Sequence, residues 1–193
     1  RDDLSAVIKA YDVRGVVGEQ IDASLVRELG AALARLLRAE SAETGVVVVG
    51  HDMRPSSPEL VDAFADGVAA HGLDVVNIGL ASTDMLYFAS GALDVPGAMF
   101  TASHNPARYN GIKLCRAGAA PIGADTGLAT IRKAVEQGVP APAPGTVPGT
   151  VEKRDMLADY AAYLCGLVDL STSRPLRVVV DAGNGMAGYT VPE

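Results

Sequence analysis

The sequence has 193 residues, a formal net charge of -7 and 49% hydrophobic residues. An acidic surface disfavours nucleic acid and anionic membranes as partners, because both select basic proteins. No run approaches the roughly 18 consecutive apolar residues of a membrane span, and no basic-then-apolar signal segment opens the sequence, so we expect a cytoplasmic protein. The two cysteines, Cys115 and Cys165, have neither metal-ligand spacing nor a disulfide framework.

The first segment with chemical character runs from Ile8 to Gly18 and mixes apolar residues with Asp12 and Arg14. An edge strand and turn with a surface ion pair would account for this pattern. An arginine directed at a phosphate group would account for it equally, because the planar guanidinium suits phosphate recognition. The segment alone does not separate these two interpretations.

A helix with leucines at helical spacing follows, and Asp22 or Ser24 is placed to cap it. The apolar run 46–49 then predicts a buried strand. This strand ends in a polar loop that contains His51 and Arg54, and we expect Arg54 to be an active-site cation.

Helices and strands keep alternating further along the chain, which predicts a layered α/β/α domain with a mostly parallel mixed sheet. The predicted elements are a helix capped by Ser57, a strand over 73–78, a helix that begins at Ser82 or Thr83, and a strand over 95–100.

The strand over 95–100 leads into Thr101-Ala102-Ser103-His104-Asn105-Pro106, and Tyr109-Asn110-Gly111-Ile112-Lys113 follows shortly after. Pro106 restricts the backbone at Asn105, so we expect Ser103 on a stiff loop. Taken singly, Ser103, His104 and Lys113 could be ordinary turn or surface residues. The hydrolase pattern Gly-x-Ser-x-Gly is missing, and a serine next to a histidine in sequence does not make a triad.

Taken together, these two motifs resemble the active-serine loop of the α-D-phosphohexomutases. The segment 10–15, Ala-Tyr-Asp-Val-Arg-Gly, resembles the opening of the phosphomannomutase/phosphoglucomutase branch of that family. The resemblance spans 8–188 and implies the first domain, and the start of the second, of a four-domain enzyme. The family's acidic metal loop, sugar-selecting loop and phosphate-binding last domain have no counterpart in this sequence.

The resemblance implies that a phosphorylated Ser103 interconverts hexose 1-phosphate and hexose 6-phosphate, with mannose or glucose as the sugar, through a hexose 1,6-bisphosphate. It implies catalytic roles for Ser103, Lys113, Arg14 and His104, and substrate binding by Tyr11, Arg14, Arg54, Asn105 and Lys113. Mg²⁺ would bind the phosphate on Ser103, with its other ligands outside this chain, so we expect the chain alone to be inactive. The implied partners are hexose phosphates and the remaining domains of the same polypeptide. His51 stands where the family usually has arginine, which leaves its role open.

The rest of the chain suggests a domain boundary. Helical periodicity over 123–137 is followed by a proline- and glycine-rich stretch over 138–149, which reads as a linker or surface strap. We therefore predict domains over 1–150 and 151–193. Within the second, the pattern predicts a connecting helix over 152–167 and an apolar strand over 176–180.

Three other functions stay open at the level of the sequence. Gly183-x-Gly185-x-x-Gly188 after a predicted strand matches the dinucleotide-binding pattern of an oxidoreductase, although the pattern is weak alone. A sugar-phosphate-binding module without chemistry would share the basic residues but would never carry phosphate on Ser103. A serine hydrolase is the weakest of the three. We expect the strand ends at 12–14, 51–54 and 103–113 to converge at one edge of the sheet.

Overall fold

The structure, a computed structural model, describes residues 3–193. Its helices are α1 (Ala23–Glu40), α2 (Ser57–Ala70), α3 (Thr83–Leu93), α4 (Leu128–Glu136), α5 (Leu157–Leu167) and α6 (Ala187–Thr190). Its strands are β1 (Val13–Val16), β2 (Val46–His51), β3 (Asp74–Leu80), β4 (Gly97–Phe100), β5 (Tyr109–Arg116), β6 (Ala120–Pro121) and β7 (Val151–Lys153).

These strands form one mixed sheet in the order β1-β5-β4-β2-β3-β7, and β6 pairs with β5. The strands β4, β2, β3 and β7 are parallel to one another. The strand β5 pairs antiparallel with β4, and β1 and β6 each pair antiparallel with β5. The predicted α/β architecture with a mixed sheet is confirmed.

Helices cover both faces of the sheet, as alternate valines of β2 show. Val47 and Val49 lie in a buried cluster with residues of α1, α2 and α4. Val48 lies in a second cluster with residues of α3 and α5 on the opposite face. Because successive strand residues point to opposite faces, a strand buried on both sides is apolar throughout. The continuous apolar run in β2 therefore reflects a central strand.

The helices α1 and α2 pack closely because each contributes a glycine at the contact. A Cβ atom built on Gly30 would overlap the carbonyl oxygen of Phe64, and one built on Gly67 would overlap that of Arg27. The two backbones therefore approach more closely than any side chain would permit.

Two of the three predicted helix caps are present. The Asp22 carboxylate accepts a hydrogen bond from the Leu25 amide at 2.6 Å, and the Ser82 hydroxyl accepts one from the Met85 amide at 3.2 Å. The prediction for Ser57 was wrong, because Ser56 is the N-cap and makes no capping bond with its side chain. The Ser57 side chain is fully buried and bonds to other polar groups instead.

The predicted helix over 152–167 was wrong in its first turn. Val151–Lys153 form β7, which pairs in parallel with residues 75–77 of β3, and the helix begins only at Leu157. A hydrogen-bonding partner at the edge of the sheet is a long-range feature that local periodicity does not show. Similarly, the helix predicted over 123–137 is a 3-10 turn at Ala124–Thr126 followed by α4.

The stretch 138–149 forms an irregular strap over the C-terminal end of α2. A surface strap was one of the two predicted alternatives, the other being a linker. The Gly149 amide donates to the Ala69 carbonyl at 2.8 Å, and His71 Nε2 lies 3.2 Å from the Pro140 carbonyl oxygen. No helix within residues 3–193 is long and apolar enough to cross a membrane.

The strand predicted over 176–180 does not form. These residues are exposed and no described strand pairs with them. A strand needs a neighbour for its backbone hydrogen bonds, and residues 3–193 supply none at this position.

Candidate active site

The predicted convergence of the three polar segments is observed at one edge of the sheet. The parallel strands β2 and β4 end there, and antiparallel β5 begins there. Arg14 on β1 lies opposite Gly111 on β5. The β4–β5 connection, residues 101–108, contains Ser103 and is called the serine loop below.

Gly111 permits this arrangement because the backbones of both neighbouring strands approach it. A Cβ atom at this position would overlap the Val13 carbonyl oxygen and would lie 2.9 Å from the Thr101 carbonyl oxygen. Any side chain would push β1 or the start of the serine loop away from β5. The glycine in the Tyr-Asn-Gly-Ile-Lys motif therefore sets the distance between Arg14 and the serine loop.

Ser103 is exposed and has a left-handed backbone, with φ at +53°. Its amide donates to the Thr101 hydroxyl at 3.0 Å, and its Oγ lies 3.4 Å from Nδ1 of His104. Non-glycine residues seldom adopt this backbone and hold it only when surrounding contacts enforce it. The enforced turn directs a free hydroxyl outward, with an imidazole beside it.

The contacts that enforce this turn come mostly from Arg54. Its Nη1 donates to the carbonyls of Pro106 and Tyr109, both at 2.9 Å. Its Nη2 donates to the carbonyls of Ser103 at 2.9 Å and Asn105 at 2.8 Å. Its Nε donates to the Asp52 carboxylate at 3.1 Å, so all five of its N–H groups are used.

Arg54 was predicted to bind substrate, and in the structure its N–H groups all have partners in the protein. The side chain is buried, with 8% exposed. No N–H group is left for a phosphate, and the neighbouring Asp52 carboxylate already balances the charge. The guanidinium is surrounded by carbonyl groups of the serine loop and of Tyr109.

Three further buried polar residues support Arg54, and the sequence did not identify them. Asp52 accepts bonds from the Arg54 amide at 3.1 Å and from the Ser57 hydroxyl at 3.2 Å. The Asn110 side chain donates to the hydroxyls of Ser56 and Ser57 at 2.9 and 3.0 Å. Asn110 and Ser57 are fully buried. The available signal was Asn110 itself, a polar residue near the start of β5, because a polar group that becomes buried requires partners.

Arg14 approaches the serine loop from its other side. It donates to Asn105 Oδ1 at 2.6 Å and to the Asp12 carboxylate at 2.5 Å, while its Nε has no partner within residues 3–193. Lys113 Nζ lies 3.5 Å from the same Asp12 carboxylate oxygen. The side chains of Arg14 and Lys113 are 23% and 29% exposed. Asp12 thus holds two cations together that each keep N–H donors for another anion.

A cleft of about 500 Å³ opens in front of the serine loop, within the roughly 300–1,000 Å³ typical of small-molecule sites. Its lining includes Ser103, His104 and Asn105 of the serine loop, together with Asp52, Arg54, Thr83 and Asn184. Arg54 thus borders the cleft, although all of its N–H groups donate to the protein. Arg14 and Lys113 are not part of this lining, but Arg14 bonds to Asn105, which is.

Two other residues singled out in the sequence lie away from the cleft lining. Tyr11 is 82% exposed and makes no contact with the serine loop that the structure records. His51 bonds through Nδ1 to the Asp52 carbonyl oxygen at 2.8 Å and lines a neighbouring groove with Lys153.

Residues 3–193 contain no cluster of metal-ligating side chains, since no three Asp, Glu, His or Cys side chains of this range lie together as metal ligands. Asp12 and Asp52 both pair with cations already. The residues described therefore do not fit the predicted magnesium without additional ligands.

Comparison with known proteins agrees with this geometry. Residues 5–140 match the family model described as phosphoglucomutase/phosphomannomutase, alpha/beta/alpha domain I. This match covers most of the chain, including β1, the end of β2 and the whole serine loop. The chain belongs to the phosphoglucomutase/phosphomannomutase family.

Individual members of the family show the same relationship along nearly the whole chain. A phosphomannomutase of Escherichia coli is 41% identical over 187 residues, which are 96% of this chain and 40% of that protein. A protein of Xanthomonas campestris pv. campestris named "phosphohexose mutases" is 44% identical over 184 residues, 95% of this chain and 40% of that protein.

A crystal structure of a phosphoglucomutase/phosphomannomutase family protein from Burkholderia thailandensis superimposes with a TM-score of 0.85 at 36% identity. The match covers 97% of this chain and 41% of that one. The chain thus spans about 40% of the length of the family members that it matches.

Proposed function

We propose that the whole protein is a phosphohexomutase that interconverts hexose 1-phosphate and hexose 6-phosphate through a phosphoserine at Ser103. The observation that carries this proposal is the exposed Ser103 hydroxyl on a serine loop held by buried contacts. Arg14 bonds to Asn105 of this loop, and Lys113 pairs with the same Asp12 carboxylate as Arg14. Phosphoryl transfer needs positioning and charge neutralisation more than covalent assistance from the protein, and this site supplies both.

In the proposed cycle, the P–O bond to Ser103 Oγ breaks as a new P–O bond forms to the free hydroxyl of a hexose monophosphate. That hydroxyl loses its proton, and the Ser103 oxygen gains one. The resulting hexose 1,6-bisphosphate then returns its other phosphoryl group to Ser103. His104 Nδ1, 3.4 Å from Oγ, is placed to exchange a proton with the serine oxygen.

Arg14 and Lys113 are the residues that neutralise phosphate charge in this proposal. A phosphoserine carries about -1.5 to -2 charges at neutral pH. Arg14 uses two of its five N–H groups and Lys113 has one carboxylate neighbour, so both have donors for phosphate oxygens. Asn105 orients Arg14 through its side-chain oxygen.

Mg²⁺ as a cofactor and a hexose 1,6-bisphosphate as activator remain part of the proposal. The chemistry that the metal would supply is neutralisation of charge on the transferring phosphate. Its protein ligands would come from outside residues 3–193, because these residues offer no suitable cluster.

The alternative functions have less support from the structure. The Gly183–Gly188 pattern does not follow a strand, and the α6 helix after it has four residues, so the strand–turn–helix context of dinucleotide binding is missing. A sugar-phosphate-binding module without chemistry would have the same geometry, but its Ser103 would never carry a phosphoryl group.

Phosphopeptide mass spectrometry on the whole protein separates these functions. After exposure to a hexose 1,6-bisphosphate and Mg²⁺, we expect a phosphoryl group on Ser103 that is lost when excess hexose monophosphate is added. A folded protein with an unmodified Ser103 under these conditions would identify the binding module. The Ser103→Ala variant controls for phosphorylation at other sites.

A further inference from the structure

Arg54 has contacts that a substrate-binding arginine would not have. Four of its five N–H groups donate to main-chain carbonyls within residues 103–109, and the fifth donates to Asp52. Arg14, by contrast, uses only one N–H group on each of Nη1 and Nη2, and its side chain is partly exposed. One arginine is thus saturated by the protein and the other is available to a ligand.

The four carbonyl bonds constrain the shape of the serine loop. Carbonyls from Ser103, Asn105, Pro106 and Tyr109 must all turn inward to reach one planar guanidinium. The Ser103 amide is held separately by Thr101 Oγ1. Both backbone polar groups of Ser103 are therefore occupied, which accounts for its left-handed backbone and for the outward direction of its hydroxyl.

We propose that Arg54, seated on Asp52, is the positioning residue of the serine loop and holds Ser103 in the single backbone shape that suits phosphoryl transfer. This inference rests on the proposed function. Arg54 acts through main-chain carbonyls and not through contact with substrate. Its loss should therefore affect the rate of the bound complex more than the binding of sugar phosphate.

Lysine is the informative replacement. It keeps the positive charge for Asp52 and for the cleft, but its ammonium group cannot reach four carbonyls in the planar fork geometry. A general electrostatic role would survive Arg54→Lys, whereas a positioning role would not. Arg108→Lys is the matched control, because Arg108 lies on the same loop, is exposed, and contacts the Tyr109 ring at 5.5 Å.

The kinetic test uses the whole protein. In folded Arg54→Lys we expect kcat to fall on the order of 100-fold, the effect of a misplacement near 1 Å, while KM for hexose phosphate stays nearly constant. Arg108→Lys should leave both parameters nearly unchanged. A normal kcat in Arg54→Lys, or a raised KM with normal kcat, would overturn the proposal.

Amide hydrogen exchange provides a second test that does not depend on turnover. The amides of Ser103, Asn105 and Tyr109 are hydrogen-bonded and should exchange slowly in the wild-type protein. In Arg54→Lys they should exchange faster, while amides of β2 and β3 stay protected. Fast exchange of these loop amides in the wild type would overturn the proposal, even if Arg54→Lys fails to fold.

The two tests also separate this proposal from the proposed function. If the wild-type protein carries no phosphate on Ser103 and has no turnover, the phosphohexomutase assignment fails. The exchange measurement then still decides whether Arg54 holds the serine loop.

Discussion

At the scale of single residues, Arg14 and Arg54 show that identical side chains at one site have different chemistry. Each follows an aspartate two positions earlier in the sequence, and each pairs with that aspartate. Arg54 is 8% exposed with every donor used, and Arg14 is 23% exposed with donors to spare. Burial and the supply of acceptors, rather than residue type, decide which one can bind a phosphate.

The first prediction concerns the two available cations. In the whole protein, Lys113→Met and Arg14→Ala should each lower kcat by on the order of 100-fold or more, because each removes charge stabilisation from the transferring phosphoryl group. Melting temperatures should change little, since partly exposed ion pairs contribute at most about 1 kcal/mol. Steady-state kinetics and thermal unfolding are the measurements.

The control for this first prediction is Lys133→Met, an exposed lysine on α4 outside the site. It should leave turnover unchanged. Unchanged turnover in both Lys113→Met and Arg14→Ala would remove their assigned roles.

At the scale of elements, the position of β2 depends on the close contact of α1 with α2. Both helices bury their apolar faces against the first core cluster, which includes Val47 and Val49. The glycines at the contact, Gly30 and Gly67, let the helices lie close together over the sheet. The end of β2 then delivers Asp52 and Arg54 beneath the serine loop.

The second prediction follows from this contact. Gly67→Ala should lower the free energy of unfolding by about 1–3 kcal/mol, because the new methyl group overlaps the backbone of α1. Gly91→Ala on α3 is the control, because nothing lies within 4 Å of its new Cβ, and alanine there should stabilise the helix by up to about 1 kcal/mol. Chemical denaturation of both variants tests the contrast. Equal effects would show that the α1–α2 contact can relax.

The third prediction concerns the docking of α5 on α3. Tyr160 on α5 donates a short hydrogen bond to Asp84 in the first turn of α3. Burial of the phenol, followed by this bond to a carboxylate, raises the pKa of Tyr160 to about 12. The pKa of a tyrosine in the unfolded chain is near 10, so folding raises it. At pH values below about 10 the protonated phenol contributes its full stabilisation, and this contribution is lost as the pH rises from about 10 to 12.

Comparison with Tyr160→Phe isolates this contribution. The wild type should lose more stability than the variant between pH 10 and 12, and the two curves should run parallel between pH 7 and 9. Denaturant unfolding across this range is the measurement. Parallel curves up to pH 12 would contradict the prediction.

At the scale of the whole molecule, residues beyond α5 differ from the rest of the chain. The apolar residues at 176–180 are exposed, with Val179 at 95%. Contiguous exposed apolar residues favour association with other apolar surfaces. Because β7 pairs with β3 and α5 shares a buried cluster with α3, the packed fold continues past residue 150. The division at 150 and the inactivity of the chain alone stay predictions.

The fourth prediction tests this exposed segment in the 193-residue chain. Val179→Lys should reduce binding of a hydrophobic dye and reduce aggregation, without changing the melting temperature. Val147→Lys is the control, because Val147 is 80% exposed but stands alone in the strap over α2. Equal effects of the two substitutions would mean that the segment 176–180 has no special surface role.

The sequence by itself determined the alternation of helices and strands, the starts of α1 and α3 to within two residues, and the motif that presents Ser103. These features depend on periodicity and short-range hydrogen bonds, which neighbouring residues encode. The motif with Ser103 and Lys113 also indicated the family, which residues 5–140 confirm.

Only the tertiary structure decided which polar residues bond to the protein itself and which keep donors for a ligand. The pairing of β7 with β3, the burial of Ser57 and Asn110, and the saturation of Arg54 all depend on groups 49 or more residues apart in the chain. A local pattern shows that a residue is polar, but it does not show which acceptors surround it. A guanidinium that is surrounded by protein acceptors has no donors left for a ligand. The fold therefore gives Arg54 a structural environment and leaves Arg14 with donors for a ligand.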